Sequence, residues 1–230
     1  KVDIGGKRSV MDQALTRENV VAFSEVDIVS DYESGAIAVV QANGIAGLQS
    51  NTVMFGWPTK SWRLESILRI MRAVSRAGKS TIIARVNGLD EPGRQNQIDI
   101  WWRGLQNNGD LMLLFSYLLT LNTQWNKSKI KVRSVVENED EREKIAASLD
   151  ELVPKTRIKA ETEVIVKPPN TTITEVMHAY SAYADVVFLG LMEPEPGEES
   201  EYAERLIELA QGFRTTIFVR NAGEFAGHLI

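Results

Sequence analysis

The chain has 230 residues, 43% of them apolar and 25% charged, with a net charge of −5 and no cysteine. That length can bury one large core or two small ones. The missing cysteines exclude disulfides and thiolate metal sites, and the acidic balance lacks the clustered Lys and Arg of a nucleic-acid footprint, so no nucleic-acid partner is expected.

The opening Lys1–Gly6 is too polar for a signal peptide. A stub of strand at Val2–Ile4 precedes a helical pattern over Arg8–Glu18, with Val10, Ala14 and Leu15 on one side. Val20–Val29 reads as a strand, and a helix is expected from about Tyr32 to Leu48. Its start carries a capping box, Ser30-Asp31-Tyr32-Glu33, in which hydroxyl and carboxylate each satisfy a free backbone N–H. A strand at Thr52–Phe55, a helix at Trp62–Ala77 stopped by Gly78, and a strand at Thr81–Val86 follow.

The Gly-, Pro- and polar-rich stretch Asn87–Gln97 reads as a connection. It places a first sub-domain at residues 1–90, a linker at 91–97 and a second sub-domain at 98–230. The second opens with a strand at Ile98–Trp102 and a helix at Asp110–Asn122, apolar nearly all round and so expected to be buried on most sides. That helix holds the longest apolar run, Leu111–Leu121, which is short of the ~20 residues of a bilayer span. Next come a strand at Ile130–Val136, a helix at Asp140–Leu152 capped by Asn138, and a strand at Glu161–Val166. A second capping box, Thr172-Ile173-Thr174-Glu175, opens a helix at Thr174–Tyr183. Val186–Leu191, Glu201–Gly212 and Thr216–Arg220 close the chain as strand, helix and strand.

Asn51–Arg85 and Asp185–Arg220 therefore share one order: strand, glycine, loop, helix, strand. The two boxes fall at equivalent points of the two units. The duplication predicts two α/β halves, each a mainly parallel sheet with helices on both faces, in a 2-1-3 or 3-2-1-4-5 order. On this alignment the first half lacks a leading strand and helix. Trp101 and Trp102, adjacent in a strand, should point to opposite faces.

Open parallel sheets bind ligands beyond the carboxyl ends of their strands, where the order reverses. In the second unit that edge joins Arg103–Gly109 to Leu191–Gly197, whose Glu193 and Glu195 oppose a phosphate and read as solvated. In the first unit the matching loop holds Gly56, Trp57 and Lys60, the candidate ligand-binding residues, because a helix start favours anions. Neither unit has a glycine-rich phosphate motif, so a nucleotide is only a possible ligand. His178 and His228 are too few and too distant for a metal site, and G-x-S-x-G is absent. No catalytic residue, cofactor or metal is nominated. Trp57, Pro58 and Trp62 are the candidate dimer contacts, since loop tryptophans are enriched at interface hot spots.

Asn51-Thr52-Val53-Met54-Phe55-Gly56, Ile98-Asp99-Ile100-Trp101-Trp102, Leu118-Leu119-Thr120, Ala184-Asp185-Val186-Val187-Phe188-Leu189 and Phe218-Val219-Arg220-Asn221-Ala222-Gly223 resemble the cytoplasmic C-terminal domain of cation–chloride cotransporters. The Ile-Asp-Ile-Trp-Trp string is the most specific part. Through Gln41–Leu48 the chain is similar to the prokaryotic, amino-acid permease-like branch. The resemblance implies two universal-stress-protein-like halves behind twelve membrane helices, on the cytoplasmic face of the membrane, as the soluble part of an integral membrane protein. It also implies a non-catalytic role in homodimer contact and in regulating the chain's own transmembrane transport domain. The alternatives left open are a free-standing nucleotide-binding protein of the same fold, and an α/β enzyme with no residue to nominate.

Overall fold

The computed structural model describes residues 3–42, 44–45, 48–87, 96–103 and 108–222. Most of the expected linker and His228 lie outside them. In chain order the elements are α1 (Ile4–Arg17), α2 (Tyr32–Ala42), β1 (Gly44–Ile45), β2 (Leu48–Gln49), β3 (Thr52–Gly56), α3 (Ser61–Arg76) and β4 (Ser80–Arg85). The second half continues with β5 (Gln97–Trp101), α4 (Asn108–Thr120), β6 (Lys129–Val136), α5 (Glu139–Lys155), β7 (Ala160–Val166), α6 (Ile173–Tyr180), β8 (Val186–Gly190), α7 (Glu199–Gln211) and β9 (Thr216–Arg220).

Seven strands form one sheet in the order β3-β4-β9-β8-β5-β6-β7. Within each half every pair is parallel, and the second half has the expected 3-2-1-4-5 arrangement. The halves were expected as separate sheets. They join edge to edge instead, because the last strand of each, β4 and β9, pairs antiparallel. The register centres on Ile83↔Phe218, with Thr81↔Arg220 and Arg85↔Thr216 on either side. Both strands read Thr-Ile-x-x-Arg, so the same side chains meet crosswise about a local two-fold. Pairing removes two exposed strand edges.

Alternation sends side chains to two cores. Trp101, Val187, Leu189 and Phe218 face one, covered by α3, α6 and α7, while Ile98, Ile100, Trp102, Val186, Phe188 and Val219 face the other, covered by α4 and α5. Trp101 and Trp102 thus lie on opposite faces, as their adjacency requires. In α3, Leu64, Ile67, Leu68, Met71 and Val74 are buried at helical spacing. The helix ends in a Schellman motif: Gly78 has φ +69, its N–H donates to the Ser75 carbonyl, and the Lys79 N–H donates to that of Val74.

Four expectations fail. Val20–Val29 forms no strand, and Val21 and Phe23 stand 100% and 94% exposed. Its counterpart in the second half is β7, which needs β6 beside it, and among the described residues the first half holds no counterpart of β5 or β6. A strand without a neighbour leaves its backbone unpaired. Ile4 opens a helix rather than closing a strand stub. α2 stops at Ala42 and β1 and β2 pair antiparallel behind it, in place of a helix to Leu48. α4 is buried only over its first turns, and Tyr117 and Leu118 are exposed.

The two boxes also differ. At α6, Thr172 and Glu175 make the full reciprocal box. At α2 the Asp31 carboxylate takes both the Ser34 N–H, at 2.9 Å, and its hydroxyl, at 2.8 Å. Glu33 turns away to hold Arg69 at 2.8 Å.

Candidate functional site

The order of the second-half sheet reverses between β5 and β8, and a cavity of about 520 Å³ opens there. Its floor is Trp101, Met177, Leu189, Leu206, Leu209 and Phe218, and Arg103, Arg205 and Glu208 also line it. Beside it, the Trp102 ring lies on the first turn of α4: a Cβ at Gly109 would fall 2.3 Å from that ring. Gly109 is thus required for close approach rather than for a turn. Asn108 binds the sheet ends together. Its Nδ2 donates to the Leu191 carbonyl at 2.9 Å, and its Oδ1 accepts from the Asn221 N–H at 2.8 Å.

The loop after β8 has few N–H groups to offer a phosphate. Pro194 and Pro196 have no N–H. The N–H groups of Leu191, Met192, Gly197 and Glu198 already donate to the Val219 carbonyl, the Tyr202 hydroxyl, Glu199 and the Glu195 carbonyl. Burial pushes the Tyr202 phenol up, against the Met192 hydrogen bond, and so favours its neutral O–H form.

Of the two carboxylates expected to be solvated, Glu195 is exposed, but Glu193 is half-buried and paired, and Glu199 at the start of α7 is buried. Arg72 of α3 reaches across from the first half, where its Nη2 donates to Glu199 at 2.7 Å and to the Pro194 carbonyl at 2.8 Å. Glu193 sits 3.7 Å from Arg72 and 3.9 Å from Arg220. Burial raises Glu199, but the Arg72 hydrogen bond, local N–H bonds and the Arg72 charge outweigh it and hold the carboxyl below its ordinary range.

A second polar chain runs under β5. Ser181 receives the Trp101 indole N–H at 3.0 Å and donates to Asp99 at 2.6 Å. Arg133 lies 3.2 Å from Asp99 and 2.8 Å from Glu163. Desolvation dominates at Asp99 and pushes its carboxyl up, against Ser181, Arg133 and Gln97. His178 is structural: its Nε2–H donates to the Leu209 carbonyl at 2.8 Å, and its ring meets Phe213 edge-on at 4.9 Å. Among the described residues no His, Asp and Glu cluster could hold a metal ion.

The first-half candidates lie elsewhere. Gly56 ends β3, and none of Gly56, Trp57 and Lys60 lines the cavity. Lys60 is exposed at the α3 N-cap. Trp57 is half-buried, stacked on Phe218 of the other half with centroids 5.6 Å apart. Pro58 is half-buried, while Trp62 is 56% exposed with Arg63 over its ring. Sequence reasoning missed Arg72, Asn108 and the Ser181–Asp99 chain. The repeated Thr-Ile-x-x-Arg was the available signal for the seam.

Among the described residues no helix is long and apolar enough to cross a membrane. The fold is similar to the crystal structure of the cytoplasmic domain of a prokaryotic cation chloride cotransporter, with TM-score 0.66 and 20% identity over 96% of this chain and 81% of that one. It is also similar to a universal stress protein from Archaeoglobus fulgidus DSM 4304, with TM-score 0.58 and 10% identity over 94% and 75% of the two chains. The family model of Solute carrier family 12 matches residues 59–189, which include β5, the Ser181–Asp99 chain and the opening of β8. Since that match spans more than half of the 230 residues, the chain belongs to solute carrier family 12.

Proposed function

We propose that this chain is the cytosolic regulatory domain of a secondary transporter moving cations with chloride, in the amino-acid permease-like branch of its superfamily. The family match over residues 59–189 carries the reading, and the shared fold with a cotransporter cytoplasmic domain supports it. In this role the domain is non-catalytic and lies at the cytoplasmic face of the membrane. It forms a homodimer and contacts its own transmembrane transport domain. Trp62 with Pro58 is the proposed dimer patch, while Trp57, the third candidate, is half-buried against Phe218. Two-fold pairing is the commonest homo-oligomer geometry.

Rubidium uptake by cells expressing the whole polypeptide tests the role. Uptake should require chloride, and its maximal rate should change in Arg72→Ala, which loosens the two halves without touching a membrane segment. Uptake indifferent to chloride, or an Arg72→Ala rate equal to wild type at equal surface expression, would sink the reading. Sedimentation of wild type against Trp62→Glu tests the dimer patch. The free-standing nucleotide-binding reading keeps only its fold analogy. Micromolar ATP affinity by calorimetry would revive it.

A further inference from the structure

We propose that the cavity between α6, α7 and the carboxyl ends of β5 and β8 binds an amphipathic anion, an acyl chain bearing a carboxylate, and not a nucleotide. At about 520 Å³ it falls within the ~300–1,000 Å³ of small-molecule pockets. Its floor of Trp101, Met177, Leu189, Leu206, Leu209 and Phe218 is aromatic and aliphatic, as a hydrocarbon chain requires. Two of its apolar lining side chains, Ile173 and Met192, stand 40% and 44% exposed, so a bound chain would cover surface now left in water.

The polar groups lie around that apolar floor. Arg103 and Arg205 outnumber Glu208 among the charged lining residues. Arg205 lies over the Tyr202 ring at 5.5 Å and only 3.9 Å from Glu201, a loose pair it can exchange for a ligand carboxylate. The Tyr202 hydroxyl accepts from the Met192 N–H and keeps its own proton to donate. A triphosphate finds no such welcome. The N–H groups of Leu191, Met192, Gly197 and Glu198 are spent, and Pro194 and Pro196 have none.

The site stands on the cavity alone, so its failure leaves the transporter-domain reading untouched. The test displaces a fluorescent acyl-chain probe from the 230-residue chain with dodecanoate, dodecanol and ATP. Dodecanoate should displace the probe saturably, and millimolar ATP should not. Arg205→Gln should weaken dodecanoate about ten-fold, the loss of one charge-assisted hydrogen bond, and leave dodecanol unchanged. Leu206→Trp should fill the cavity and abolish probe binding. If circular dichroism shows that variant unfolded, Leu209→Phe takes its place. Displacement by ATP, no saturable displacement, or wild-type binding in the folded cavity-filling variant would each overturn the site.

Discussion

Arg72→Ala removes one of the contacts that tie the two halves together on the α3–α7 side. The Arg72 side chain is 15% exposed and that of Glu199 only 7%, so removing the guanidinium leaves a carboxylate buried without its cation. The Gly197 N–H remains its partner at 2.8 Å. Breaking one side of a buried ion pair costs roughly 3–5 kcal/mol, and the retained N–H bond argues for the lower end, about 3 kcal/mol. For a chain of this length that lowers Tm by about 6–12 °C. The pH dependence gives the sharper test. The folded-state carboxyl of Glu199 is held below its ordinary value of 4.5, so its contribution is present above that pH and lost as pH falls through the depressed value. Chemical denaturation of wild type and variant at neutral pH and on the acid limb should show the difference shrinking as pH drops below about 4.5. Arg72→Met combined with Glu199→Leu should recover much of the loss, because the buried carboxylate goes with its cation and Glu193 keeps Arg220 nearby. A neutral-pH loss under about 1 kcal/mol, or a loss that does not vary with pH, would refute the argument.

Ser181→Ala strips a partner from both the Trp101 indole and the Asp99 carboxylate, and should cost about 2–3 kcal/mol in urea unfolding with a shift in tryptophan emission. An unchanged midpoint would show that the chain under β5 contributes nothing. In Gly212→Ala the new methyl would fall 2.1 Å from the His178 ring, so the ring must move and give up the Leu209 carbonyl. A lower Tm with a changed His178 imidazole NMR signal is expected, and wild-type values for both would contradict the contact.

Much of the fold was readable locally. α3 shows its buried stripe and its glycine stop, α5 shows Asn138 as its cap, and β8 and β9 show continuous apolar runs, because periodicity and capping depend on residues within a few positions of each other. Val20–Val29 shows the limit of that reading. Its β-branched composition is a strand's, but a strand exists only where a neighbour supplies hydrogen bonds. The carboxyl edge between β5 and β8 was legible as a place through the order of a doubly wound sheet, whereas the candidate ligand residues Gly56, Trp57 and Lys60 lie off the cavity. Its character was not, since that depends on which N–H groups the folded loop has already used.

The sequence by itself determined the α/β class, the duplication, the parallel pairing within each half and the opposite faces of Trp101 and Trp102, all consequences of short-range pattern. Tertiary structure alone decided that the halves share one sheet through Ile83 and Phe218, 135 positions apart. It also decided that Arg72 finds Glu199, and that Trp102 fills the space left by Gly109. Such contacts depend on how distant segments close on one another, and no local propensity encodes them.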